Sequence, residues 1–149
     1  MIIVRKQKEE TVMSNRSNYK VWQVRLSSFE MNCINENGHG AVPKHVRNLN
    51  LSMAYDKTEA EKRQMVSEAW FEGDFSHVAN VEADSLEEVF MLTNGQGDQF
   101  RVRKLGRMHS LSVGDVVQDD NGKLHLCDNV GFVAVNYQAG VNSGELEVA

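Results

Sequence analysis

The stretch of sequence that decides the fold is residues 86–135, LEEVFMLTNGQGDQFRVRKLGRMHSLSVGDVVQDDNGKLHLCDNVGFVAV. It opens with apolar residues at helical spacing, and Ser85 and Glu88 stand where a capping box places its two members. Asn94 and Gly95 follow, and both residue types tolerate the left-handed conformation that ends a helix. The opening of the stretch therefore predicts a short helix that ends at residues 93–94.

The remainder of this stretch predicts strands. Residues 113–118, 123–127 and 132–136 are rich in β-formers, and the turn 119–122 contains Asn121-Gly122, a strong hairpin signal. We therefore expect hairpins at the C-terminal end of the domain.

A further strand is predicted over 19–26, because apolar side chains there recur with a period of two. Trp22 and Val24 share one face, while Tyr19, Val21 and Gln23 share the other, and Trp22 is the expected core anchor. Residues 1–18 read as a flexible extension and residues 138–149 as a flexible tail.

The middle of the chain carries mixed signals. The glycines and asparagines of 35–40 predict a loop, and Pro43 can open a helical turn. Residues 58–65 predict a short helix, with Thr58 and Glu61 spaced as in a capping box. The heavy apolar residues 66–71 and 75–81 flank Gly73 and predict a hairpin.

These elements together predict a small single α+β domain over 19–137. Its antiparallel sheet would carry C-terminal β-hairpins, and two short helices would pack on it. No internal repeat or linker divides the chain.

Composition limits the functions open to this domain. The chain has 149 residues, 41% of them hydrophobic, and a net charge of −5, as expected of one globular domain. Residues 1–28 carry +4, so the rest carries −9, and an acidic body disfavours general affinity for nucleic acid. The net charge is also too small to imitate DNA, which presents one negative charge per ~1.7 Å of its axis.

The sequence also bears on location. Cys33 and Cys127 are too few and too unpatterned for a disulfide framework, and the N-terminus has no apolar signal-peptide core. No run approaches the roughly 18 apolar residues of a membrane span. The cytoplasm of a bacterial cell fits these features best.

No arrangement of residues forms a catalytic or metal-binding signature. His125 and Cys127 share a strand face that His109 could approach, yet the spacings of structural zinc sites are absent, and a buried cysteine usually acts as a small hydrophobe. Cys33 with His39 or His45 lacks a third group to orient the histidine. We therefore expect no enzyme activity, no metal and no cofactor.

The strongest polar constellation is the basic segment Arg101, Arg103, Lys104 and Arg107, together with His109. Arg101 and Arg103 would share a face if the segment is extended, and arginines there could bind a phosphate or an acidic partner surface. The alternative is that these bases only offset the acidic residues Glu87, Glu88 and Asp98.

A second set of residues is interpreted as structural. Ser110 and Ser112 can bond to local backbone groups, and Gly114-Asp115 allows a tight turn or bulge before the next strand. In the same way, Gly131 would permit a close approach of the backbone and Phe132 would fill the core.

The order of these motifs resembles the YodL-like domain family. The resemblance rests on YKVWQV at 19–24, of the type aromatic-x-apolar-aromatic-Gln-apolar, on Phe100, and on SLSVGD at 110–115, with 102–108 resembling an insertion. It implies a small protein of a phage or mobile element, without known catalytic residues.

On this basis we expect a non-enzymatic protein-interaction module that inhibits or modulates a host protein, for example a defence protein. Two alternatives stay open. One is a nucleic-acid-binding accessory domain that uses the basic segment, and the other is an undiscovered hydrolase.

Overall fold

The computed structural model describes residues 16–135, and within this range six strands and four α-helices form one α+β domain. The predicted fold class is confirmed, and most of the extension and all of the tail lie outside the described residues. The strands are β1 (Ser17–Val24), β2 (Phe75–Ala83), β3 (Val102–Lys104), β4 (Val116–Gln118), β5 (Leu124–Asp128) and β6 (Gly131–Val135). The helices are α1 (Ser28–Asn37), α2 (Pro43–Ser52), α3 (Glu59–Phe71) and α4 (Leu86–Thr93).

All six strands belong to one antiparallel sheet in the order β3-β2-β1-β4-β5-β6. The predicted hairpins β4-β5 and β5-β6 are both present, and Gly122 takes the positive φ that the first of these turns requires. No helix within residues 16–135 is long and apolar enough to cross a membrane.

Each face of the sheet carries its own core. On the first face, α4 buries Val89 and Leu92 against Tyr19, Val21 and apolar residues of β2. We call this cluster the α4 core. On the second face, α2 and α3 cover strands β4, β5 and β6, and we call that cluster the α2-α3 core. Both predicted faces of β1 therefore contact a core. Tyr19 and Val21 belong to the α4 core, and Trp22 packs against the α2-α3 core.

A β-bulge in β2 lets this strand serve both cores. Val21 lies opposite Ala79 and Trp22 lies opposite His77, so Val78 is the extra residue. Before the bulge, Phe75 belongs to the α2-α3 core, whereas Val78 and the apolar residues after it belong to the α4 core.

The hairpin predicted around Gly73 is wrong, because residues 66–71 continue helix α3. Val66 and Ala69 are buried at helical spacing, and Trp70 packs edge-on against Trp22 with ring centroids 4.8 Å apart. Gly73 still has the positive φ expected of a turn glycine, but it ends a helix there.

The loop predicted at 35–40 is wrong in its first half, because α1 extends to Asn37. A capping box of Ser27 and Glu30 starts this helix, and Gly38 ends it with a positive φ. At α4, Ser85 caps the helix as predicted, but the Glu88 carboxylate accepts a bond from the Asp84 amide, so the capping box is only half formed.

One ion pair ties α3 to the far end of the sheet. Lys62 is 7% exposed, and its Nζ lies 2.7 Å from Oδ2 of Asp128, the last residue of β5. A buried charge is costly without its partner, so this pair constrains how α3 lies on the sheet.

We predict that Lys62→Met lowers the free energy of unfolding by about 3 kcal/mol, because it leaves the Asp128 carboxylate with little solvent and no cation. Urea unfolding followed by tryptophan fluorescence measures the change. The control is Lys57→Met at an exposed position, with a change within about 0.5 kcal/mol. Equal effects of the two substitutions would show that the ion pair adds nothing.

Candidate functional site

The SLSVGD segment is built around the buried carboxylate of Asp115. This side chain is 4% exposed, and its Oδ2 accepts bonds from the Ser112 amide at 2.9 Å and from Gln23 Nε2 at 3.0 Å. The first bond closes the turn before β4, and the second reaches across to β1. Gly114 between them has a φ of +100°, which favours glycine.

Gln23 extends this network to His109 and is itself fully buried. Its Nε2 donates to the His109 carbonyl at 2.9 Å, and its Oε1 accepts from the His109 amide at 3.3 Å. The His109 ring is more than half exposed, and Nδ1 lies 2.8 Å from the Ser110 carbonyl and 3.8 Å from Asp115 Oδ2. The two motifs on which the family resemblance rests therefore bond to each other.

Burial raises the pKa of Asp115 from its ordinary value of 3.8 to about 6. The bond from the Ser112 amide, the nearby His109 and the bond from Gln23 all act in the opposite direction, but burial outweighs them. The carboxyl group therefore titrates close to neutral pH while it holds the segment in place.

The other predicted structural residues lie at the β5-β6 turn. Gly131 has a φ of +102°, and no atom lies within 4 Å of the position that a Cβ would take, so backbone conformation and not close approach requires glycine there. Phe132 is half-buried and packs against the α4 core, as expected.

The basic segment does not form a single surface. Arg101 lies in a 3-10 turn (Gln99–Arg101) before β3, so the expected strand alternation with Arg103 is wrong at this residue. Its guanidinium pairs with Glu88, at 2.8 and 3.2 Å, and donates to the Glu82 carbonyl. The Asp84 amide and Arg101 hold the pKa of Glu88 below its ordinary value. Arg101 thus offsets an acidic residue, which was the alternative interpretation.

Strand β3 then sends its two remaining bases to opposite faces. Arg103 lies opposite Asn80 in the register, whereas Lys104 lies opposite Ala79 of the α4 core. Lys104 and His109 line a common cavity beside the C-terminus of α4. Arg107 is exposed in the loop that follows β3.

Arg103 belongs to a polar surface that none of the helices within residues 16–135 covers. In the register Gln118, Lys20, Asn80 and Arg103 follow one another across β4, β1, β2 and β3. A shallow depression of about 460 Å³ lies along this row. We call its lining residues the open face; they are Asn18, Lys20, Asn80, Glu82, Phe100, Arg101 and Arg103.

Phe100 borders the open face and is 99% exposed. Sequence reasoning assigned no binding role to Phe100, Lys20 or Asn80. The sequence did contain one signal for an exposed position on this face. Lys20 alternates along β1 with Tyr19 and Val21, which are buried. The partners of Lys20 across the sheet are distant in sequence, so the pattern along one strand could not reveal the row.

The structure brings together few of the residues that were weighed for chemistry. His39 and His45 bond to each other at 2.9 Å, with stacked rings, and neither bonds to Cys33. Burial and the nearby Asp115 carboxylate raise the pKa of the Cys127 thiol to about 12, far from the thiolate form. Among residues 16–135, no three His, Cys, Asp or Glu side chains are placed to hold a metal ion.

Comparison with protein-family models, curated proteins and solved structures finds no match to this chain.

We predict that Asp115→Asn removes one component of the pH dependence of stability. Because the folded-state pKa of Asp115 is raised, its contribution to stability is greatest below about pH 4 and falls as the pH rises to about 6. As the pH rises from about 4 to about 6, wild type loses this contribution and the Asp115→Asn variant does not. The free energy of unfolding of the variant, relative to wild type, should therefore rise by roughly 2–3 kcal/mol over this pH range. Urea unfolding at a series of pH values measures it, and a constant difference would contradict the prediction.

Proposed function

We propose that this protein is a non-enzymatic interaction module, and that its open face binds an acidic surface of a partner protein. The observation that carries the proposal is that an almost fully exposed aromatic residue, Phe100, and the exposed Arg103 line the same depression on the open face. Aromatic residues and arginine dominate the binding energy of protein interfaces.

The charge of the open face supports an acidic partner. Lys20 and Arg103 have no ion pair within the described residues, whereas Arg101 is neutralised by Glu88, and Glu82 lies 3.9 Å from Arg16. A locally basic surface on a protein of net charge −5 is a distinct electrostatic feature. Such a surface steers the approach of a partner with the opposite charge and disfavours neutral or basic ones.

The geometry also suits a protein partner. Asn18 and Asn80 provide hydrogen-bonding groups beside the cations, and the sheet beneath them packs on the buried α4 core. A preformed, rigid surface loses little conformational entropy on binding. Phe100 can add an apolar anchor at the border.

The resemblance to YodL-like domains bears on the origin and the target of this protein. We propose that the chain comes from a phage or other mobile element, acts in the bacterial cytoplasm, and inhibits or modulates a host protein such as a defence factor. The proposal of origin and target rests on that resemblance alone.

A second candidate partner is single-stranded nucleic acid. The combination of an exposed aromatic ring with Lys20 and Arg103 on an antiparallel sheet favours it, because bases stack on aromatic side chains while cations follow the phosphates. Two unpaired cations in an acidic domain provide a weak electrostatic contribution, so we favour the protein partner.

The test compares two matched double variants. We predict that Phe100→Ser with Arg103→Glu lowers retention of the partner from host lysate at least about tenfold, because an aromatic or arginine anchor commonly contributes about 2 kcal/mol or more. The control is Phe90→Ser with Lys123→Glu, which makes the same aromatic-to-serine change and the same change of charge at exposed positions on α4 and the β4-β5 turn. Quantitative mass spectrometry of the retained proteins measures the loss.

A specific protein that both wild type and the control retain, and that the open-face variant loses, supports the proposal. Equal retention by the two variants would remove the open face from the interaction. Fluorescence anisotropy with a labelled single-stranded oligonucleotide tests the alternative: binding that weakens steeply with salt and requires Phe100 and Arg103 would favour nucleic acid.

A further inference from the structure

A second site lies on the opposite face of the sheet, beside the C-terminus of α4. It is a cavity of about 280 Å³ between this helix end, β3 and residues 108–110. That volume is slightly below the usual range for drug-sized ligands, about 300–1,000 Å³, so the cavity suits a small metabolite. Its polar lining includes Thr93, Asn94, Gln99, Lys104 and His109.

One wall of this cavity offers hydrogen-bond acceptors. Thr93 Oγ1 donates to the Val89 carbonyl at 2.9 Å, and Asn94 Nδ2 donates to the Phe90 carbonyl at 2.7 Å. Gln99 Nε2 donates to the carbonyl of Leu92 at 3.0 Å. Thr93 and Gln99 have therefore used their donors, since Gln99 Nε2 also donates to the Gln96 carbonyl at 3.3 Å, whereas Asn94 keeps one N–H. Each of the three side chains still has an oxygen that can accept a bond from a ligand. The negative pole of the α4 dipole lies at the same place.

Strand β3 contributes a cation to the lining. Lys104 is exposed and has no hydrogen bond or ion pair within the described residues. His109 stands beside it in the lining, and its position is fixed by the bonds of Gln23 and by Nδ1 against the Ser110 carbonyl. The lining thus combines acceptors at the negative end of α4 with a cation from β3.

We propose that this cavity binds a free α-amino acid. The ammonium group would donate to the oxygens of Thr93, Asn94 and Gln99 at the helix end, and the carboxylate would pair with Lys104. None of the described residues that line the cavity is Phe, Tyr or Trp. The proposal rests on the cavity alone and is independent of the open face.

The experiment is a titration of the full chain with L-glutamine, followed by the amide NMR signals of Gly95 and His109. Two probes each remove one charge of the ligand: N-acetyl-L-glutamine lacks the ammonium and L-glutaminamide lacks the carboxylate. We expect saturable shifts with L-glutamine and affinities at least about tenfold weaker for both probes, because each loses charge-assisted hydrogen bonds. Absence of a saturable shift, or equal affinity for N-acetyl-L-glutamine, overturns the proposal.

Variants locate the site. Lys104→Met should weaken L-glutamine binding about tenfold, whereas Lys123→Met, an exposed lysine on the β4-β5 turn, should leave it unchanged. Thr93→Val removes one acceptor at nearly constant volume and should weaken binding roughly fivefold, which keeps the test decisive if Lys104→Met fails to fold. Unchanged affinity in a folded Lys104→Met or Thr93→Val variant would place the ligand elsewhere.

Discussion

The contact between Gln23 and Asp115 is the constraint on which the rest of the structure depends. The sheet has two halves, β3-β2-β1 and β4-β5-β6, and within residues 16–135 their strands pair through the ladder of β1 with β4, which has three residue pairs. By comparison, β1 pairs with β2 along eight. The bonds that Gln23 makes to Asp115 and His109 add a buried attachment between the halves. Because the low dielectric of the interior strengthens such bonds, one glutamine side chain supports the alignment of both halves.

The two faces of the sheet differ in chemistry because different helices pack on them. Helices α2 and α3 cover the β4-β5-β6 half, and they leave the β3 end of the same face to polar side chains. On the other face, α4 covers the β2 end, and its C-terminus borders a cavity with β3. The short strand β3 therefore contributes a base to a different surface at each of two successive positions, Arg103 and Lys104.

Local signals in the sequence predicted the parts of the fold that depend on neighbouring residues. The caps at Thr58 and Ser85 and the turn at Asn121-Gly122 need only a few adjacent side chains and backbone groups. The hairpin predicted around Gly73 failed because a short apolar run fits a strand or a buried helix, and here packing of Trp70 on Trp22 decides. The open face joins positions 20, 80 and 103, so strand order had to be known first. The basic segment was visible in the sequence. Which of its side chains lies on which face of the sheet, however, depends on the residue at which β3 begins.

The bulge at Val78 limits how the open face can vary among related sequences. It sets the phase of the second half of β2, so that Asn80 and Glu82 face outward while Val81 and Ala83 enter the α4 core. Substitutions at the two outward positions change the chemistry of the surface and leave the core intact. Loss or gain of one residue at the bulge would exchange the two sets, because strand side chains alternate with a period of two. Natural variation of this surface is therefore expected as changes of residue type at constant strand length.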